Sequence, residues 1–260
     1  MQCVWTKSGP SNRVEGGDLL ITVNGETLLL DPCGAAFAPG HSVLLFADLH
    51  FEKGSSYARG RQFLPPYDTT NTLLRMARAV ARHKPARVVA LGDSFHDRQA
   101  ADRLQPEERG LLESLTRTAR FTWIAGNHDP HPPAWLEGDV CDMLEVGGLT
   151  LRHEPLASFQ PGEVAGHLHP CASVSKWGRS VRRRCFVSDG LRLILPSFGA
   201  YTGGLDVGDA AISALFGSRF HAFMLGEERV YAIPRIQAGR RNNRDDIQPM
   251  ITAITTAARP

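Results

Sequence analysis

The sequence has little of what marks a membrane or secreted protein. Its 260 residues contain no apolar run near the roughly 18 residues that a membrane-spanning helix needs. The first residues lack a charged segment followed by a long apolar stretch, so no export signal is predicted. We therefore expect a soluble, cytoplasmic protein that has no membrane partner.

An excess of charge of one sign is also lacking. The 29 Lys and Arg residues nearly balance the 27 Asp and Glu residues, which leaves a net charge of +2. This balance excludes a composition that attracts polyanions over the whole surface, but a local basic groove remains compatible with it.

Cysteine is sparse and shows no pairing pattern. The sequence has five, an odd number, and they are widely scattered without any C-x-x-C spacing. Such usage argues against a disulfide framework and against a thiolate zinc site. Reduced and mostly buried thiols are the simpler interpretation.

What is present is typical of one globular domain. The hydrophobic content of 42% and the charged content of 22% are ordinary values, and the length suits one large α/β domain. We predict a single domain over residues 1–236. Residues 237–260 have little periodicity, and we expect them to form a flexible C-terminal tail.

Short apolar runs alternate with amphipathic segments in the first half of the chain. Residues 42–47, 87–91 and 121–125 are typical of buried strands, and helical periodicity covers residues 68–83 and 106–118. This alternation predicts parallel strands with helices on the faces of the sheet. In such sheets, ligands bind beyond the carboxyl ends of the strands.

The second half of the chain is predicted to be richer in antiparallel strands. Hairpins are expected at residues 141–152, 182–195 and 220–233, in addition to one at residues 19–30. The fold class is therefore α/β, with a two-sheet β-sandwich flanked by helices.

Five polar clusters follow the apolar runs in a fixed order. Their candidate metal-binding residues supply only oxygen and imidazole nitrogen, a donor set that suits manganese, iron, nickel or zinc. These residues are Asp48, His50, Asp93, Asn127, His153, His167 and His169. A single histidine is more often a surface or core residue than a ligand, but five ordered clusters at strand ends indicate a metal site.

The spacing within the clusters also fits metal binding. In an extended segment, the side chains of residues i and i+2 point the same way, so the two residues of Asp48-x-His50 are predicted to bind one ion. His167-x-His169 repeats that spacing. A glycine before Asp93 and other cluster residues permits a sharp turn out of the strand.

The order D-x-H, G-D, G-N-H-D, H and G-H-x-H resembles the calcineurin-like metallophosphoesterases, which have a four-layer αββα fold. The resemblance implies that one divalent ion is held by Asp48, His50 and His169. It implies a second ion held by Asn127, His153 and His167, with Asp93 bridging both, and it makes His128 the catalytic acid. The segment from Gly92 to Arg98 has one residue more than many relatives. Whether Asp97 or His96 supports His128 is therefore left open.

This resemblance implies hydrolysis of a phosphoester. Two cations can clamp a phosphate and hold a hydroxide for in-line attack, and they lower the pKa of bound water from about 15.7 to near 7. A nucleic-acid diester has a poor alkoxide leaving group, so His128 is predicted to donate a proton to it.

Segments outside the metal motifs give a narrower resemblance. They include Phe51-Glu52-Lys53-Gly54, Leu64-Pro65-Pro66-Tyr67, His153-Glu154-Pro155 and Phe198-Gly199-Ala200-Tyr201-Thr202-Gly203. They are similar to the ligase-associated bacterial phosphoesterases, which implies a manganese-dependent endonuclease in DNA repair. It also implies a functional link to an ATP-dependent DNA ligase, a helicase and an exonuclease. Iron, nickel, zinc and cobalt are the alternatives to manganese.

A basic stretch near the last motif is a candidate substrate contact. Cations interleaved with an aromatic ring suit single-stranded nucleic acid, whereas a basic hairpin face that only confers solubility is the equal alternative. The candidates are Trp177, Arg179, Arg182, Arg183 and, from another segment, Tyr201.

Two other functions compete with a DNA endonuclease. The nearer alternative is a small-molecule phosphodiesterase or phosphomonoesterase that uses the same centre. The more distant alternative is a metal-less scaffold that binds proteins, which usually requires eroded ligand positions. None of the seven positions is eroded in this sequence.

Overall fold

The computed structural model describes residues 17–62, 64–176, 179–216 and 219–236. The predicted tail over residues 237–260 and the candidate Trp177 lie outside these ranges. No helix among the described residues is long and apolar enough to cross a membrane. The four cysteines within these ranges are all unpaired, as the sequence predicts.

The first sheet has seven strands that lie side by side in chain order. Its strands are β1 (Leu19–Val23), β2 (Glu26–Leu30), β3 (Ala36–Ala38), β4 (Val43–Phe46), β5 (Arg87–Leu91), β6 (Arg120–Ile124) and β7 (Asp139–Cys141). Strands β1 to β4 pair antiparallel with their neighbours, and β4 to β7 pair parallel. The parallel half therefore brings the ends of its strands to one edge.

The second sheet runs in the order β15-β14-β12-β13-β10-β9-β8, and β11 pairs with β12 outside that order. Its strands are β8 (Met143–Val146), β9 (Leu149–Arg152), β10 (Glu163–Ala165), β11 (Cys171–Lys176), β12 (Arg179–Ser188), β13 (Leu193–Ile194), β14 (Phe220–Leu225) and β15 (Val230–Ile236). It is mixed, because β10 is parallel to both β9 and β13 while the remaining pairs are antiparallel.

Five α-helices accompany the sheets in the described part of the chain. They are α1 (Lys53–Arg59), α2 (Asp68–His83), α3 (Ala100–Arg103), α4 (Pro106–Thr116) and α5 (Ala210–Ser213). The long helix α2 has the predicted bounds, because its apolar side chains recur at helical spacing. Helix α4 begins with Pro106 and a reciprocal capping box between Gln105 and Glu108, which satisfies two amide groups of its first turn.

Three apolar clusters define the layers. One lies between the sheets and includes Leu45, Leu151 and Phe186, a second packs α2 and α4 on the first sheet, and a third packs α5 on the second sheet. The predicted α/β sandwich with helices outside is confirmed.

The hairpin predicted at residues 141–152 is confirmed from Met143 to Arg152, but Cys141 belongs to a different strand. Asp139–Cys141 forms β7 and pairs parallel with β6 in the first sheet, whereas Met143–Val146 forms β8 in the second sheet. The chain passes from one sheet to the other at Asp142. Both sheets bury apolar residues in the same interior, so the apolar pattern does not reveal the change of partner.

Candidate metal centre

The carboxyl ends of strands from both sheets meet at one site. Asp48, Asp93 and Asn127 follow β4, β5 and β6, while His153 and His167 follow β9 and β10. The backbone N–H of His167 donates to Asp48 Oδ2 at 2.9 Å, which joins the two sheets directly. The candidate ligands thus meet at the sheet edge that the sequence predicts, and both sheets supply side chains to it.

Three of the candidate ligands form a first group. The Nε2 atom of His169 lies 3.1 Å from Asp48 Oδ1 and 3.5 Å from Nε2 of His50. Asp48 and His50 are buried, and the ligand atoms of the three residues lie within 4.8 Å of one another. Burial, with the neighbouring His169, lowers the pKa of His50 to about 2, so this imidazole is neutral and has a free lone pair.

The other four candidate ligands form a second group. His153 Nε2 lies 2.9 Å from Asn127 Oδ1, 3.2 Å from His167 Nδ1 and 3.4 Å from Asp93 Oδ1. The other oxygen of Asp93, Oδ2, lies 4.0 Å from Nε2 of His50 in the first group. Asp93 is therefore the residue that faces both groups.

The nitrogen and oxygen atoms of the second group point their lone pairs at one another, so a cation between them would stabilise the group. His153 Nδ1 donates to the Leu91 carbonyl at 2.8 Å, so in the neutral ring Nε2 carries a lone pair. That lone pair faces the oxygens of Asn127 and Asp93, which are acceptors as well. Burial disfavours charge on His153, yet the carboxylates of Asp93 and Asp48 raise its pKa to about 9. Either a proton or a metal ion must fill this position, and oxygen and nitrogen donors suit a divalent metal.

Most candidate ligands have left-handed backbone conformations. Five of the seven have φ between 45° and 68°, a region that costs a residue with a side chain about 1–3 kcal/mol. They are Asp48, His50, Asp93, His167 and His169. The extended geometry predicted for the two x-spaced pairs is therefore wrong, because their side chains converge through alternating left-handed residues.

A glycine in the loop after β6 allows Asp93 to approach that loop closely. A Cβ atom on Gly126 would lie 2.2 Å from the backbone nitrogen of Asp93 and 2.3 Å from its Oδ1. These contacts are far inside van der Waals distance, so any side chain at this position must displace Asp93.

Gly126→Ala is expected to lower phosphodiesterase activity at least about 100-fold, because a displacement near 1 Å costs that much at a reacting centre. Gly110→Ala is the matched control, since a Cβ atom there meets nothing within 4 Å and the residue lies in α4. The control should be active and more stable by about 0.5–1 kcal/mol. Steady-state kinetics and thermal melting compare the two, and equal activities would contradict the steric argument.

The orientation of His128 is fixed by a hydrogen bond to the main chain of His96. Its Nδ1 donates to the backbone carbonyl of His96 at 2.6 Å, and its Nε2 lies 3.8 Å from Asp93 Oδ2. Asp97 instead accepts two hydrogen bonds from Arg103, at 2.7 and 2.9 Å. Of the two residues left open by the sequence, His96 is the one that contacts His128.

The predicted substrate contacts lie on an arm formed by β11 and the first part of β12. The cationic side chains of Arg179, Arg182 and Arg183 are exposed. Strand alternation places Arg182 on the same face as Arg184, whereas Arg179 and Arg183 are on the opposite face. Tyr201 is half-exposed, and its hydroxyl donates to the Pro65 carbonyl at 2.9 Å.

Sequence reasoning missed two residues beside the centre. Lys53 is buried at the start of α1, within electrostatic reach of Asp48 and Asp93. Tyr57, one turn later, stacks on His96 with ring centroids 6.2 Å apart. Lys53 lies in a segment that carries the narrower resemblance, but the signal that pairs it with Tyr57 is their i, i+4 spacing, which is common in helices.

One further cluster of acidic and imidazole groups lies elsewhere and is already neutralised. Asp18, Asp31 and His83 come together at the N-terminal edge of the first sheet. The guanidinium of Arg82 lies 2.8 Å from both carboxylates. This cluster is an ion-pair network, since a cation of the protein occupies the place a metal would take.

The fold and this centre define the class of protein. The chain belongs to the calcineurin-like phosphoesterase family, whose sequence profile matches residues 41–193. It is accordingly a metal-dependent phosphoesterase, a hydrolase, and the family fold implies divalent metal ions.

Among solved structures, the crystal structure of Pseudomonas putida nuclease MPE is similar, with 31% sequence identity and a TM-score of 0.64. The match covers 83% of this chain and 100% of that chain. The phosphoesterase Yfce from E. coli is more distant, with 15% identity, a TM-score of 0.37 and coverage of 75% of this chain and 98% of that chain. The comparison with curated proteins gave no match.

Proposed function

We propose that this phosphoesterase is a DNA endonuclease that uses two divalent metal ions and favours single-stranded DNA. One observation carries the choice of a nucleic-acid substrate. The basic arm of β11 and β12 begins at Cys171, directly after Pro170 and the candidate ligand His169. A polyanion lying along the arm is thereby led to the metal centre. The nuclease name of the P. putida relative, 31% identical over most of the chain, supports the same choice.

The two groups of candidate ligands fit two ions. Asp48, His50 and His169 would hold one ion, and Asn127, His153 and His167 the other, with Asp93 between them. Bound divalent ions supply Lewis-acid polarisation of the phosphate and a water whose pKa is near 7. We propose manganese as the metal, although an O/N site accepts several divalent ions.

The chain itself positions the proton donor. Because Nδ1 of His128 is held by the His96 carbonyl, Nε2 is the nitrogen that faces the cleft. The His128 side chain is 39% exposed, so a leaving oxygen can reach it. We propose that Nε2 delivers a proton to the alkoxide leaving group, a contribution typically worth about 10²–10⁴-fold.

The arm supplies cations for the phosphate backbone, and the face that carries Arg182 and Arg184 also contacts the segment of residues 197–204. Arg182 is exposed and donates to the Gly204 carbonyl at 2.7 Å, and Arg184 holds the Ser197 carbonyl at 2.9 Å. The segment they hold also contacts the metal loop, because Gly199 N–H donates to the Asp48 carbonyl at 3.0 Å. We propose that Arg184 stabilises this segment and that the exposed arginines contact DNA.

The cellular role follows from the narrower resemblance. We propose a role in bacterial DNA repair, in the cytoplasm, with a functional link to an ATP-dependent DNA ligase, a helicase and an exonuclease.

Cleavage of circular single-stranded DNA across a panel of divalent metals tests the proposal. A circle has no end, so its linearisation demands endonuclease action, and the greatest rate is expected with Mn²⁺. Double-stranded circles and linear strands in the same assay give the strand preference. Asp93→Asn serves as the inactive control.

Salt dependence separates the DNA endonuclease from a small-molecule phosphodiesterase. The apparent affinity for DNA should fall steeply with salt, with a slope of about −0.7 per phosphate contact on single strands. Turnover of a small aryl phosphodiester should change much less. Activity on the small diester with intact circles under every metal would overturn the DNA assignment and favour the small-molecule alternative.

A further inference from the structure

Helix α1 presents two side chains to the metal centre that the proposed mechanism does not use. Lys53 and Tyr57 are four residues apart, so they lie on the same face of the helix. Both are close to His96, which contacts the first group of candidate ligands through His50. A cation and an aromatic ring therefore occur together at one rim of the cleft.

The ammonium of Lys53 has no partner of its own. The residue is only 8% exposed, and its ammonium nitrogen, which keeps contact with solvent, makes no hydrogen bond or ion pair among the described residues. Burial and the neighbouring guanidinium of Arg184 hold its pKa below the usual value. Partial burial of an ammonium that has no hydrogen-bond partner disfavours its charged form. A fold that keeps such a group in a cleft provides a binding site for an anion.

The carboxylates near Lys53 do not remove this need. Asp48, Asp93 and Asp68 attract the ammonium electrostatically, but Asp48 and Asp93 are candidate metal ligands, and Asp68 Oδ2 accepts from the Gly54 amide at 2.8 Å and forms no ion pair with Lys53. Once divalent cations neutralise these carboxylates, Lys53 is left beside a site of net positive charge. The group that then balances it is the substrate phosphate.

Tyr57 completes the subsite with an exposed ring. It stacks on His96 at an interplanar angle of 19°, and His96 stacks on His128 with centroids 5.3 Å apart and an angle of 28°. The tyrosine is 39% exposed and ends this column of rings. Stacking of a base on such a ring strengthens binding about 5- to 150-fold and tolerates any base.

We propose that α1 forms a nucleotide subsite, in which Lys53 binds a non-bridging oxygen of the scissile phosphodiester and Tyr57 stacks on the adjacent nucleobase. The column from Tyr57 to His128 places this base on the side of the leaving group. The inference rests on the proposed function, because it names how that site binds DNA. It also explains a preference for single strands, whose bases are free to stack.

Lys53→Met tests the phosphate contact. Loss of a charged hydrogen bond should lower kcat/KM about 10- to 100-fold on both DNA and a small aryl phosphodiester, since both contain the phosphate. Thermal stability should stay equal or rise, because an unpartnered buried ammonium is removed. Lys84→Met, an exposed lysine at the end of α2, is the matched control and should change neither quantity.

Tyr57→Leu tests the base contact. It should raise KM for single-stranded DNA about tenfold and leave the aryl phosphodiester unchanged, whereas Tyr57→Phe should retain wild-type values. Tyr67→Leu, at a tyrosine that is 63% exposed, is the matched control.

The outcomes separate the subsite from the proposed function. A wild-type protein that cleaves DNA while Lys53→Met and Tyr57→Leu retain full activity overturns the subsite alone. A Lys53→Met protein that melts at a lower temperature, with full activity on both substrates, shows a structural lysine and also overturns it. A wild-type protein that cleaves only the aryl diester overturns the DNA assignment and the base contact, and a Lys53→Met defect on that diester supports the phosphate contact.

Discussion

Asp93→Ala should reduce phosphodiester cleavage by at least about 10³-fold and deplete both metal ions. Asp93 faces the two ligand groups at once, with Oδ1 3.4 Å from His153 Nε2 and Oδ2 4.0 Å from His50 Nε2. Metal-ion catalysis supplies several kcal/mol of transition-state stabilisation, which equals at least about 10³-fold at 1.36 kcal/mol per factor of ten. The side chain also accepts the backbone N–H of His128 at 2.9 Å, so its loss releases the proton donor as well.

A one-sided ligand provides the comparison for Asp93. Asn127 contacts only the second group, through His153, and it is exposed. Asn127→Ala should therefore lose less activity than Asp93→Ala and retain about one metal ion per chain. Metal content by elemental analysis and turnover on one diester measure both effects. Asp139→Ala, at an exposed ion pair with Arg120, controls for the loss of a carboxylate.

Equal loss of metal and activity in Asp93→Ala and Asn127→Ala would contradict the bridging position of Asp93. Thermal melting distinguishes a damaged site from a damaged fold. Burial alone would raise the pKa of the Asp93 carboxyl, but the neighbouring His153 and the hydrogen bond that the His128 amide donates lower that pKa to about 2. The carboxylate is therefore ionised at neutral pH and is available to cations.

The position of the site could be predicted from the sequence because strand ends obey a geometric rule. Asp48, Asp93 and Asn127 each follow a buried parallel strand, and parallel strands end at one edge. His153 and His167 belong to the other sheet, and their approach to that edge depends on how the sheets stack. The ordered polar clusters of the sequence mark both residues as candidates, but no local pattern encodes the stacking that brings them to this edge.

The local geometry of the ligands could not be predicted. An Asp-x-His spacing in a strand implies extended residues, yet Asp48 and His50 have φ of 54° and 45°. Tertiary hydrogen bonds hold them there, since the N–H of His50 donates to the Asp93 carbonyl at 2.9 Å. Contacts between residues far apart in the chain thus override the intrinsic preference of each residue.

Short strands were missed for a related reason. Strands β3 and β10 have only three residues each, so they cannot show a periodicity. Each exists because strands pair with it on both sides: β3 lies between β2 and β4, and β10 lies between β9 and β13. Long segments such as α2 were predicted to the residue because their own pattern decides their structure.

The second large effect is expected at His128, and it should depend on the leaving group. His128→Ala should lower cleavage of DNA about 10²–10⁴-fold, because an alkoxide leaves poorly without a proton. The same substitution should lower cleavage of an aryl phosphodiester less than about tenfold, since an aryloxide leaves readily unprotonated. Parallel rates on the two substrates, with metal content checked, give the ratio directly. His131→Ala, an exposed histidine three residues away, is the matched control.

The hydrogen bond that orients His128 makes this prediction sharper. The acceptor is the main-chain carbonyl of His96, which His96→Ala retains. The ring of His96 lies 3.4 Å from His50, nitrogen to nitrogen, so its removal acts on a candidate metal ligand. His96→Ala should therefore lower cleavage of both substrates alike, whereas His128→Ala should affect DNA selectively. If His128→Ala instead lowers both rates equally, His128 serves the metal centre or the bound phosphate, and the leaving group takes its proton from elsewhere.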